Sequence, residues 1–116
     1  MKMPDSLFVE FCRNRALIKA IDFLMECRGY DYSKRQICQY TGVSAKQLST
    51  IWGKLERHGL VAYTKTHGKT CKYTFNKHNL LSQKLLELDK ALMRQAMDEW
   101  DEKAVVPNRQ KARQKP

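Results

Sequence analysis

Two serine–glutamine pairs at one spacing, with a single glycine between them, constrain this chain more than any other feature. Ser33 with Gln36, and Ser44 with Gln47, have the three-residue offset of a capping box. In that device the serine oxygen accepts from the third helical N–H while the glutamine oxygen accepts from the cap N–H. Each pair therefore marks a helix start. Gly42 lies between them, and glycine tolerates the left-handed conformation on which a helix ends and a sharp turn begins. The pattern predicts a helix through Ile37, Cys38 and Tyr40, a turn at Gly42 with Val43 filling the corner, and a second helix over residues 44–58.

At about 100° per residue, Leu48, Ile51, Trp52 and Leu55 fall on one side of that second helix. Lys46, Ser49, Thr50, Gly53 and Arg57 fall on the other. An apolar back with a front of short polar and basic side chains suits a DNA major groove, where short residues let the backbone approach and Lys or Arg reach phosphate or guanine. An ordinary amphipathic surface helix has the same pattern, so the neighbouring residues decide.

Those neighbours read as a hairpin. Residues 60–65 and 70–75 are predicted strands joined by Thr66, His67, Gly68 and Lys69, with Gly68 supplying the positive φ of a tight turn. Cys71, Tyr73 and Phe75 alternate with Thr70, Lys72 and Thr74, giving one buried and one wet face. Lys65, His67, Lys69 and Lys72 belong to the tip and the wet face.

Charge follows the same division. A chain of 116 residues has the length of one domain with tails. Its formal charge is +10, but residues 33–78 hold nine Lys or Arg against one acid, Glu56, a net of +8. Residues 79–102 hold three basic and six acidic side chains, a net of −3. A charge serving solubility alone would be spread more evenly, so the asymmetry points to a polyanionic partner.

Ile37, Cys38, Gly42, Val43, Leu48 and Ile51 stand at the spacings of a helix-turn-helix, with Cys38 where a small residue such as alanine is usual. The run Lys54, Leu55, Glu56, Arg57, His58, Gly59, Leu60, Val61 is similar to the exit from a recognition helix. Over about residues 14–100 the chain thus resembles winged helix-turn-helix transcriptional regulators of the MarR and ArsR kind. The fold class implied is mainly α with a small β-hairpin and a long C-terminal dimerisation helix. The resemblance implies double-stranded DNA as partner, with the wing on the minor groove or its phosphates. Lys46, Gln47, Thr50 and Lys54 are then expected at base edges, and Arg35, Lys65, Lys69 and Lys72 at phosphates. Ser44, Ser49, Lys34 and His67 complete the expected DNA-contacting set. Lys34 and Arg35 oppose the dipole of the helix they open, a small local penalty. A two-fold dimer would set two recognition helices in successive major grooves about 34–36 Å apart, reading a pseudo-palindrome and repressing transcription by occupying it. An architectural, sequence-tolerant DNA coat and a protein–protein adaptor stay open as alternatives.

The flanks extend this reading. Residues 1–13 hold Leu7, Phe8, Val9 and Phe11, expected as a short helix or arm on the body. A helix from Asn14 to about Cys27 carries a core stripe of Leu17, Ile18, Ile21, Leu24 and Met25. Its second stripe, Ala16, Ala20, Phe23 and Cys27, asks for another partner, either the N-terminal arm or another subunit. Tyr30, Asp31 and Tyr32 form a short ordered link, closing a domain of residues 14–78. Residues 79–103 are predicted as one long helix, with a seam of Leu81, Leu85, Leu88, Leu92 and Ala96. Leu86, Met93, Met97 and Trp100 widen the seam to about half the circumference. A homodimer through this helix, aided by Ala16, Ala20 and Phe23, would bury the excess; a helix folding back in a monomer is the alternative. Residues 104–116, with Arg109, Lys111, Arg113 and Lys115, are expected as a disordered basic tail.

Cys12, Cys27, Cys38 and Cys71 form no C-x-x-C pair, and small buried hydrophobes are their expected role. A thiol sensor, or a metal site using Cys71 with His67 or His78, is the alternative, and His58 is expected as a cap or core histidine. With no signal peptide and no long apolar span, a cytoplasmic protein without membrane contact is expected. No nucleophile–base pairing or Gly-rich phosphate loop suggests an enzyme or a cofactor.

Overall fold

The computed structural model describes residues 3–105; of the tail expected at residues 104–116, the first two residues belong to the last helix and residues 106–116 lie outside the described residues. Five helices and one antiparallel hairpin follow in order: α1 (Leu7–Arg13), α2 (Arg15–Glu26), α3 (Lys34–Thr41), α4 (Ala45–Arg57), β1 (Val61–His67), β2 (Thr70–Phe75) and α5 (Leu80–Val105). The chain is thus mainly helical with a small β component. Residues up to Ser82 form one unit and the remainder of α5 belongs to a second.

The helix ends are fixed by side chains. Asn14 Oδ1 accepts from Leu17 N at 3.1 Å and opens α2. Ser33 and Ser44 each form a complete capping box with Gln36 and Gln47, so two otherwise orphaned N–H groups are satisfied at each start. Gly42 closes α3 at φ +79°, its N–H donating to the Cys38 carbonyl at 2.9 Å. With the turn so determined, Val43 is buried at the corner.

The core of the first unit is built where the apolar stripes of three helices meet the hairpin base. Leu17, Ile21, Leu24 and Met25 of α2 join Ile37, Leu48, Ile51, Trp52, Leu55, Leu60 and Phe75, all buried. Fully burying one such Leu or Ile stabilises the fold by about 1.5–3 kcal/mol relative to leaving it exposed.

The hairpin differs from the expected one in two ways. β1 continues through His67, so the turn has two residues, Gly68 and Lys69, with Gly68 at φ +65°. The register also shifts between Tyr63, opposite Tyr73, and Lys65, opposite Lys72, leaving Thr64 as a bulge. The Thr64 hydroxyl donates to Asp31 Oδ2 at 2.8 Å and lies 3.1 Å from the Lys72 carbonyl. An isolated antiparallel bridge borders the two-stranded sheet: Tyr32 exchanges two 2.7 Å hydrogen bonds with Tyr73. Burial of the inner face is graded, from buried Phe75 through half-buried Tyr73 to exposed Cys71, as the strand runs out toward its tip.

The second stripe of α2 finds its cover inside the chain. Ala20 is fully buried, so no surface remains on it for a dimer contact. Phe23 stacks on Tyr40 with centroids 5.6 Å apart and meets Tyr32 edge-on at 4.9 Å, while Ala16 is half-buried. In α1, Phe11 meets the His58 ring edge-on at 5.4 Å, but Leu7, Phe8 and Val9 are exposed. The expected packing of that cluster on the body thus reduces to Phe11. His58 is the C-cap of α4. The cysteines are not the buried hydrophobes expected: Cys12 and Cys71 are exposed, Cys27 and Cys38 half-buried, and all four are free thiols.

Helix α5 runs unbroken for 26 residues, two past its expected end. Along it Leu81, Leu85 and Leu86 are half-buried, whereas Leu88, Leu92, Met93, Ala96, Met97 and Trp100 are exposed, Trp100 at 76%. Among the described residues, no helix is long and apolar enough to cross a membrane.

Candidate nucleic-acid interface

Helix α4 divides cleanly. Leu48, Ile51, Trp52 and Leu55 are buried, while Lys46, Ser49, Thr50, Gly53 and Arg57 are exposed together on the opposite arc. Among the described residues, no acid forms an ion pair with Lys46, Arg57, Arg35 or Lys69. Gly53 sits mid-arc, and a Cβ built on it would meet nothing within 4 Å. Packing within the chain therefore gives no reason for glycine at a position where it weakens the helix.

Several polar groups expected at base edges are already engaged. Ser44 Oγ accepts from Gln47 N, and Gln47 Oε1 accepts from Ser44 N, both at 3.1 Å. Among the described residues, the Gln47 amide N–H groups have no partner. Thr50 donates its hydroxyl proton to the Lys46 carbonyl at 3.0 Å, leaving lone pairs and a methyl for any partner. Ser49 is exposed at the edge of the arc.

Two of the expected contact residues are drawn elsewhere. Lys54 is half-buried on the margin of α4 and lines a cleft with Glu10, Arg13 and Asn14, away from the exposed arc. Lys34 holds its ammonium 4.5 Å from the centroid of the Trp52 ring and 5.8 Å from that of Tyr73. Trp52 in turn meets Tyr73 edge-on at 4.8 Å, so the hairpin flanks α4 on the Trp52 side. Arg35, one residue on, is exposed.

On the hairpin, His67 and Lys69 are exposed at the tip. Lys65 and Lys72 stand directly opposite each other across the strands. Lys72 Nζ donates to Gln36 Oε1 at 3.1 Å, and Lys65 Nζ lies 4.0 Å from Asp31 Oδ2. The hydrogen bond from Thr64, aided by Lys65 and Lys72, holds the Asp31 carboxyl below the usual carboxylate range. Burial chiefly pushes the Tyr32 and Tyr73 phenols up, so both are neutral at physiological pH.

The structure thus brings Lys46, Ser49 and Thr50 onto one exposed arc with Arg57. It engages Lys34, Lys65 and Lys72 with Trp52, Asp31 and Gln36 of the same chain, and Lys54 lines a separate cleft. Arg57 and Gly53 were visible on the helical wheel but not included among the contact residues; Asp31 and Thr64 were missed. The signal for Asp31 was a single acid between two tyrosines at the edge of a basic region.

No family model, curated protein or solved structure matches the chain.

Proposed function

We propose that the chain is a winged helix-turn-helix regulator that binds double-stranded DNA as a homodimer. The reading places α4 in the major groove and the β1–β2 hairpin on the adjacent backbone or minor groove. The observation that carries it is the exposed arc of α4, where Lys46 and Arg57 flank Ser49, Thr50 and Gly53 without an acidic partner among the described residues. A groove takes a helix whose centre is small and whose cations reach outward. Arg35 at the start of α3 and Lys69 at the hairpin tip add phosphate-reaching charge. The second copy is supported by the exposed Leu88, Leu92, Met93, Met97 and Trp100 of α5, an apolar length that water does not favour.

A second reading has its own support. The engaged oxygens of Ser44 and Gln47 and the donated hydroxyl of Thr50 leave the arc rich in charge but short of free base-reading groups. That balance favours a sequence-tolerant DNA coat. Selection of duplexes from a random pool, followed by affinities for selected and scrambled DNA at physiological salt, separates the two. A regulator discriminates by roughly 10³ or more, an architectural protein hardly at all. Failure to bind either duplex at low salt removes both.

A further inference from the structure

The β1–β2 hairpin carries a built-in conflict. Its register sets Lys65 directly opposite Lys72, and like charges so placed repel. Residues 61–75 contain no Asp or Glu to relieve them. The carboxylate that does reach them, Asp31, comes from the link between α2 and α3. The link is tied to β2 on both sides of that residue. Thr74 Oγ1 donates to the Tyr30 carbonyl at 2.8 Å, and Tyr32 pairs with Tyr73. Asp31 is therefore presented to the hairpin by fixed backbone. The bulged residue, Thr64, is the one whose hydroxyl meets it.

We propose that Asp31 acts as an internal substitute for a DNA phosphate: it holds Lys65 in the free chain and gives it up when the polyanion binds. The proposal rests on the DNA-binding reading and assigns Asp31 the part of a positioning residue that restrains affinity. At 4.0 Å, with the Lys65 side chain 65% exposed, the ion pair is weak. A phosphate offers shorter, charge-assisted hydrogen bonds and takes Lys65 over. Lys72, bonded to Gln36 Oε1 at the α3 cap, stays with the body and keeps the hairpin anchored. Once Lys65 has moved, Asp31 remains as an uncompensated negative charge beside the bound backbone. It therefore opposes binding in the complex while steadying the hairpin in the free chain.

Asp31→Asn tests this, because the amide oxygen still accepts from Thr64 while the charge is gone. The variant is expected to bind duplex DNA about 2- to 5-fold more tightly at 150 mM salt, the size of one exposed charge contact. Its plot of log affinity against log salt is expected to be steeper than the parent's, by up to about 0.9. Asp31→Ser is expected to behave alike, and the gain is expected to shrink but not vanish in a Lys65→Gln background, where the carboxylate holds no lysine yet still faces the bound backbone. Asp22→Asn, which neutralises an exposed acid of α2, controls for net charge and is expected to gain less. If the parent binds DNA but Asp31→Asn gains no more than Asp22→Asn, the role of Asp31 is overturned and the DNA reading stands. If the parent fails to bind duplex even at 50 mM salt, the DNA reading itself falls and takes this inference with it.

Discussion

The Lys34 ammonium stands 4.5 Å above the indole of Trp52, and through it the first turn of α3 is tied to the buried side of α4. A cation at a helix N-terminus is unfavourable, and the aromatic face offsets that. Lys34 is thus a structural lysine beside Arg35, which is exposed. Lys34→Gln is expected to lower stability in urea unfolding by about 0.5–1 kcal/mol. The neighbouring exposed Arg35→Gln is expected to stay within about 0.5 kcal/mol of the parent. DNA affinity is expected to rank them the other way, with Arg35→Gln the weaker binder.

Gly53 separates folding from binding more sharply. Alanine there meets open space and adds helix propensity, so Gly53→Ala is expected to stabilise the fold by roughly 0.5–1 kcal/mol. If the α4 arc approaches DNA closely, the added methyl lowers affinity at the same time. A variant both more stable and equally tight in binding would remove Gly53 from the contact surface.

How much of this was legible depended on sequence distance. Ser33 with Gln36, Ser44 with Gln47, and Gly42 specify their turns through bonds spanning three or four residues, and both boxes stand as read. The stripe of α4 was equally plain, since Leu48, Ile51, Trp52 and Leu55 are related by the helix period alone. The Thr64 bulge was not, because alternation continues on either side and the residue that Thr64 meets, Asp31, lies 33 residues away. Phe23 looked unpartnered for the same reason: Tyr32 and Tyr40 cover it only after α3 folds back. Lys34 and Lys54 were read as contact residues from charge, and charge does not say which aromatic or cleft a flexible side chain meets.

Asp31 makes hairpin stability depend on acid. Its folded pKa is lowered, so the stabilisation is fully present above the ordinary carboxylate pKa and is lost as pH falls through the folded value. The parent is therefore expected to be more stable than Asp31→Asn at neutral pH, with the two converging in acid as the carboxyl protonates. Urea midpoints measured from pH 7 to pH 2.5 check this. A difference that persists undiminished at pH 2.5 would sink the ionic account.

Ser82 is fully buried, and its hydroxyl has no hydrogen-bond partner among the described residues. Leaving such a group unsatisfied costs about 1–3 kcal/mol. Ser82→Ala keeps the Cβ and removes the orphan, and it is expected to raise stability by about 0.5–2 kcal/mol. A loss of stability on thermal or urea unfolding would show that the oxygen has a partner after all.

The exposed seam of α5 makes the proposed dimer testable without DNA. Sedimentation of the parent at micromolar concentration is expected to give two chains. Met93→Glu combined with Met97→Glu is expected to give one, because a charge in an apolar contact is costly. A monomeric parent would leave Leu88, Leu92 and Trp100 to some other occupant.

The most direct measurement is duplex affinity of the parent and of Lys46→Glu/Arg57→Glu between 50 and 200 mM salt. The parent is expected to lose roughly 10³–10⁵ in affinity over that range, as a protein neutralising several phosphates does. The double variant is expected to bind far more weakly and with a shallower salt dependence. A parent that binds DNA equally well with both α4 cations reversed would contradict the assignment of that helix to the groove.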